Sequence, residues 1–158
     1  MAKFAKFGVA ATAVGLALAF GTVAVVAQDK EAQIQLRRDT MKRQGKDLKA
    51  IQDFVKGQGD QANAEHAIAD LQSIAPKIVG LFPPGTGMDA FPGKTGAKPA
   101  IWQQWDKFSA IPPTLQGEEA KLATAIKSGD KAAVGAALAG TGKNGCGACH
   151  TDYREKIS

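Results

Sequence analysis

Cys146-Gly147-Ala148-Cys149-His150, close to the end of a 158-residue chain, decides how the remainder is read. Two thiols three positions apart with an imidazole directly after them form the spacing by which a polypeptide carries a c-type haem. Each thiol adds across a vinyl group, and the imidazole ligates the iron from one side. On a helix each residue advances by about 100°, so the three side chains share one face. Other chemistries use these residues less well. A thioredoxin-type redox pair belongs beside a βαβ pattern, and no strand-like alternation precedes Cys146. A zinc site needs four ligands, and the chain's whole stock of Cys and His is Cys146, Cys149, His150 and the distant His66. A plain disulfide leaves His150 without a role.

The opposite end supplies a matching context. Residues 1–27 carry Lys3 and Lys6, no acidic residue, and an apolar run from Gly8 through Ala27, which is the plan of a signal peptide. Val25 and Ala27 place the cut after Ala27. A retained membrane anchor is the weaker alternative, because Thr12, Gly15, Gly21 and Thr22 interrupt the run. Residues 28–158 are then expected to form one exported domain, periplasmic in a bacterium, with no membrane attachment once the leader is gone. The formal charge of +5 falls when the leader's lysines leave, and so mild an excess does not call for nucleic acid. Arg37, Arg38, Lys42, Arg43, Lys46 and Lys49 nevertheless crowd one stretch. Such a run is either a solvated helix face or a surface that steers an acidic redox partner.

Between these ends the pattern is helical throughout. Ile34, Met41, Leu48 and Val55, with Ile51 between them, predict a helix from Gln28 to about Val55 with one buried stripe. A second helix is expected from Gln61 to Leu81, kinked or split at Pro76. Phe82 to Pro99 is rich in Pro and Gly, has no period, and reads as a long functional loop. A third helix starts near Pro99 and should bury Ile101, Trp105 and Phe108, with Trp102 on an adjacent face. It should break at Pro112 and Pro113, resume at Thr114 and end at Ser128-Gly129-Asp130. Asp130 is a good N-cap for a fourth, which Gly140, Gly142 and Gly145 interrupt before Cys146 to Lys156 form its last turns. The expected fold is all-α, an antiparallel four-helix bundle with the haem packed between its helices.

These residues resemble the class II cytochromes c, meaning cytochrome c′ and its low-spin relatives of the c-556 type. The tail Cys146, Cys149, His150, Tyr153, Arg154 is similar to the family's Cys-x-x-Cys-His-x-x-Tyr-Arg. Ile101, Trp102 and Phe108 stand where the family opens its third helix, and Arg37 followed by Met41 stands where its first helix meets the far side of the iron. The double proline and the glycines before Cys146 depart from the family's usual helices. The resemblance implies a cytochrome c′-like bundle carrying one covalent haem c on Cys146 and Cys149, with His150 as axial ligand. It makes residue 41 decisive, since Leu there leaves the iron five-coordinate whereas Met ligates.

Met41 shares its stripe with inward-facing residues, so the expectation is a low-spin c-556 type with His150 and Met41 on the iron. Met41 as core filler and Met88 as the ligand are the competing readings. A His/Met haem has a raised potential and serves as a one-electron carrier for a redox partner protein. An open sixth site would instead bind NO or CO. Neither case needs an acid–base pair or a nucleophile, so no enzyme is expected. Arg37, Phe82, Trp102, Phe108, Tyr153 and Arg154 are the candidates for the haem pocket, and His66 is not. The resemblance also implies a homodimer through the first two helices, which the basic crowding on the first helix opposes.

Overall fold

A computed structural model describes the backbone of residues 19–157 and the side chains from residue 29 onward. The leader predicted at residues 1–27 therefore lies largely outside the described residues. Only the backbone of its last part is seen, as helix leading without a break into the first long element.

That element, α1, runs Ala19–Val55 and ends at Gly57, whose φ of 74° only glycine adopts freely. Asp60 starts α2 (Gln61–Ile74) by accepting a hydrogen bond from the Asn63 N–H at 2.7 Å. Pro76 stops α2, and the chain continues as two short 3₁₀ turns, Ala75–Lys77 and Val79–Leu81. After the long loop come α3 (Ala100–Gln103), α4 (Trp105–Ser109) and α5 (Ile111–Ser128). Gly129, left-handed at φ 72°, closes α5. Asp130 then caps α6 (Lys131–Gly140) by accepting from the Ala132 and Ala133 N–H groups. The chain does not leave helix at the glycines. It widens into a π-helical segment, Thr141–Gly147, and tightens again as α7 (Ala148–Tyr153). No described helix is long and apolar enough to cross a membrane.

Neighbours in sequence are neighbours in space. α1 packs on α2, α2 on α5, α5 on α6 and α6 back on α1, which is the closed ring of an antiparallel four-helix bundle. One end of the core is filled by Ile51, Phe54, Leu71, Leu122, Ile126 and Val134. The other end is built from Ile74, Phe82, Ile101, Phe108, Leu115 and Tyr153, and there Met41, Cys146 and Cys149 pack against the cluster.

Four local expectations are corrected. Pro112 and Pro113 do not break a helix. They occupy its first turn, where a missing N–H costs nothing, and the breaks fall earlier, at Gln104 and Ala110. The break at Gln104 turns Trp105 outward, so it is 37% exposed while Phe108 is 1% exposed. On α1, Phe54 rather than Val55 is fully buried, and the basic run splits because Arg37 is 4% exposed.

Arg37 is the tie that fixes the long loop. One of its terminal nitrogens donates to Leu81 O (3.1 Å) and Thr86 Oγ1 (3.0 Å), the other to Thr86 O (2.8 Å) and Thr95 Oγ1 (2.7 Å). Its guanidinium also lies 4.7 Å from the Phe82 ring centroid. All four acceptors are neutral, and burial pulls its pKa down to about 10, still well above neutrality. The loop is held at its far end too, where Lys98 N–H donates to Tyr153 O (3.0 Å) and Glu155 N–H to Gly96 O (2.8 Å).

Removing this tie leaves four buried acceptors unmade, each costing about 1–3 kcal/mol. Arg37→Met should therefore lower the stability of the haem-loaded protein by several kcal/mol in denaturant unfolding. Arg37→Lys should not rescue it, because an ammonium cannot span both forks. In the distal core Leu122→Ala should cost about 2–5 kcal/mol, while Leu36→Ala on the exposed face of α1 should stay within about 0.5 kcal/mol of wild type.

Candidate functional site

A cavity of about 410 Å³ opens between α1, the end of the long loop and α7, within the range of about 300–1,000 Å³ that holds drug-sized ligands and cofactors. Arg37, Arg38, Met41 and Lys42 face it from α1, and Cys149, His150 and Tyr153 from α7. Phe82, Thr95, Ala97 and Ile101 line its walls, and Arg154, Lys156 and Ile157 its rim.

The sequence of the π segment explains how the attachment residues reach this position. A π turn is a rare widening found mostly at functional sites. Here it lets the backbone lie directly on α5. A Cβ on Gly145 would sit 2.5 Å from Leu115 Cδ1, so any larger residue would have to push the buried Leu115 side chain aside. Cys146 and Cys149, both half-buried, are free thiols and not a disulfide. Burial pushes Cys149 up to about 11, with Cys146 and Asp152 adding to the effect. Cys146 is raised by burial and by the charge of Glu119. At neutral pH both stand as thiols. Burial, then the neighbouring Arg154 charge, lowers the His150 pKa, which favours the neutral imidazole that a metal requires.

The residues present fit a haem. Its ring would lie in a largely apolar slot beside the Cys149 thiol and the His150 imidazole, with Cys146 set just behind, against the adjoining core cluster. Its carboxylates would answer a cation that the fold has buried without any anion. Of the candidates, Arg37, Phe82, Tyr153 and Arg154 line the cavity, whereas Trp102 and Phe108 stand behind it. Trp102 braces the wall by donating from Nε1 to Phe82 O (3.0 Å). Phe108 stacks edge-on with Phe82 and Tyr153 at centroid distances of 4.9 and 5.3 Å. Thr95 to Ala97, Lys156 and Ile157 were not foreseen. They come together through one antiparallel bridge, Ala97 to Arg154, for which no local pattern exists. His66 is exposed on α2 beside a second cavity with Asp47 and Asp70. Among the described residues no three Cys, His, Asp or Glu side chains converge as a metal cluster.

Residues 32–154 match the family described as "Cytochrome C'". Cytochrome c′ of Rhodospirillum rubrum is 36% identical over 87% of this chain and 93% of the relative. Cytochrome c-556 of Agrobacterium tumefaciens is 33% identical over 78% and 98%. Two solved structures share the fold over 80% of this chain and 97% of theirs. One is a cytochrome c′ with ligand-controlled dimer dissociation, at 28% identity and a TM-score of 0.71. The other is a nitrosyl complex of cytochrome c prime from Alcaligenes xylosoxidans, at 26% and 0.67.

These matches correct the expected subtype. The family found is cytochrome c′, so the low-spin c-556 reading, and with it a His150/Met41 one-electron carrier, is overturned. Met41 is half-buried, lines the cavity and packs against the cluster that contains Ile101 and Phe108. The cofactor is haem c, for which the Cys146 and Cys149 spacing is an attachment site. Over nearly its whole described length, therefore, the chain belongs to the cytochrome c′ family, whose members are non-catalytic haem carriers rather than enzymes.

Proposed function

We propose that the protein is an exported cytochrome c′ whose haem iron is held by His150 alone and keeps its sixth position open to NO or CO. The observation that carries this reading is the match to cytochrome c′ over residues 32–154, together with a relative of the same fold solved as a nitrosyl complex. The haem supplies a ferrous iron able to take a diatomic gas. The remaining work falls to this chain.

Cys146 and Cys149 would tether the ring through thioether bonds, and His150 on α7 would supply the imidazole ligand to its iron. Met41, Phe82, Ala97 and Ile101 give the cavity an apolar wall. Such a wall excludes water and anions while costing a neutral diatomic nothing in desolvation. Arg37 provides the buried positive charge that a haem propionate would pair with. Arg38, Lys42, Arg154 and Lys156 surround the mouth and could accept the second propionate.

Lys3, Lys6 and the apolar run to Ala27 support export through a signal peptide cut after Ala27, and hence a periplasmic site, where thiols can be joined to haem. A homodimer is supported by the solved relative whose dimer responds to ligand. In this chain the interface would use the α1–α2 face, where Leu36 is 51% exposed.

The optical spectrum of the dithionite-reduced protein should be high-spin and should change on adding CO or NO. A low-spin spectrum indifferent to CO would rule the open site out. Met41→Ala should leave the iron high-spin before and after reduction, and by enlarging the apolar wall it should alter CO affinity rather than coordination. A switch from low-spin to high-spin in this variant would show that Met41 had been a ligand.

A further inference from the structure

Glu119 is the least comfortable group in the bundle. It lies on α5 between Leu115 and Leu122, all three buried, and is itself 2% exposed. Its Oε2 has no hydrogen-bond partner. A buried, unpaired carboxylate is costly enough that such groups are either neutral or matched by a nearby positive charge.

The surroundings offer no such charge from the polypeptide. α2 packs against α5 with Ile68, Leu71 and Ile74, α6 with Val134, and the turn after α2 with Ala75. Lys77 on that turn, Asp106 and Lys107 on α4, and Lys143 on the π segment are exposed. On α5 itself Glu118 is occupied by Lys121 at 2.8 Å. The titratable group that feels Glu119 is Cys146 across the π segment, where the haem is attached.

We propose that Glu119 is a proton site coupled to the oxidation state of that haem, taking a proton from solvent when the iron gains an electron and releasing it when the iron is oxidised. A ferric iron in a porphyrin dianion carries one net positive charge, and a ferrous one carries none. A ferric haem tethered on the π segment that packs against α5, with Gly145 against Leu115 one turn before Glu119, would thus supply positive charge toward the carboxylate. On reduction a one-electron donor in solution, such as a reduced viologen mediator, is oxidised. Fe(III) becomes Fe(II), and the charge left on Glu119 is cancelled by one O–H bond formed with a solvent proton. Burial alone lifts the Glu119 pKa to about 7, so a modest pull in either direction crosses neutrality. By linkage, proton affinity that rises on reduction means a potential that falls as pH rises.

The test is a mediated redox titration of the haem-loaded protein across the pH units flanking neutrality. The potential should fall with pH, by at most a tenfold change in the reduction equilibrium per pH unit, about 59 mV for one electron. Glu119→Gln, close in size and unable to titrate, should flatten that slope, while Glu118→Gln should keep it. Reduced-minus-oxidised infrared difference spectra should show a protonated carboxyl band that is absent in Glu119→Gln. A wild-type potential independent of pH, or a slope and band unchanged in Glu119→Gln, overturns the proposal. It requires haem attachment but not an open sixth position, so a Glu119-dependent slope in a protein indifferent to CO would uphold this inference and defeat the gas-binding one.

Discussion

A single buried guanidinium holds the site together. Without Arg37 the proline- and glycine-rich stretch from Phe82 to Pro99 would lose the side chain to which its buried Thr86 and Thr95 are bonded. With it, the 3₁₀ end of the second helical run, Thr86 and Thr95 are all anchored to α1. The fixed loop then presents Gly96 and Ala97 to the C-terminal segment, where Gly96 O and the bridge to Arg154 seat the end of α7. The slot is thereby closed by elements from three distant parts of the sequence. The cost is a desolvated charge, buried with only neutral acceptors around it, which a bound anionic group would offset.

What could be read in advance follows the range of the interactions. The attachment motif, the N-cap at Asp130, the stop at Gly129 and the helical stripes are local, and each has a mechanism within a few residues. The position of a proline relative to a helix start is also local but ambiguous. Pro112 and Pro113 suit a first turn as well as they suit a break, and only the bend at Gln104 decides it. That same bend removed Trp105 from the core. By charge pattern alone Arg37 could not be distinguished from its basic neighbours, because what buries it is a loop more than forty residues further on; only the family resemblance singled it out. The pairing of Ala97 with Arg154 has no periodic signature at all.

The identity of the iron's sixth ligand belongs to a further class. Met41 was correctly expected on the stripe that faces the cavity, yet a thioether in that position is equally suited to coordinate metal or to fill space. Sequence periodicity establishes which way a side chain points, not which bond it forms. The distinction came from the kinship of the whole chain with cytochrome c′.

The widened turn from Thr141 to Gly147 has a consequence for how such a tail can be reshaped over generations. A π turn is equivalent to one surplus residue in an α-helix, and each residue of helix carries about 100° of rotation. Because the widened turn absorbs its extra residue locally, losing a single codon there would restore regular winding while keeping the two sulfurs and the imidazole on nearly the same face of the helix. The tail can thus shed one residue of length without re-aiming the residues that would grip the prosthetic group.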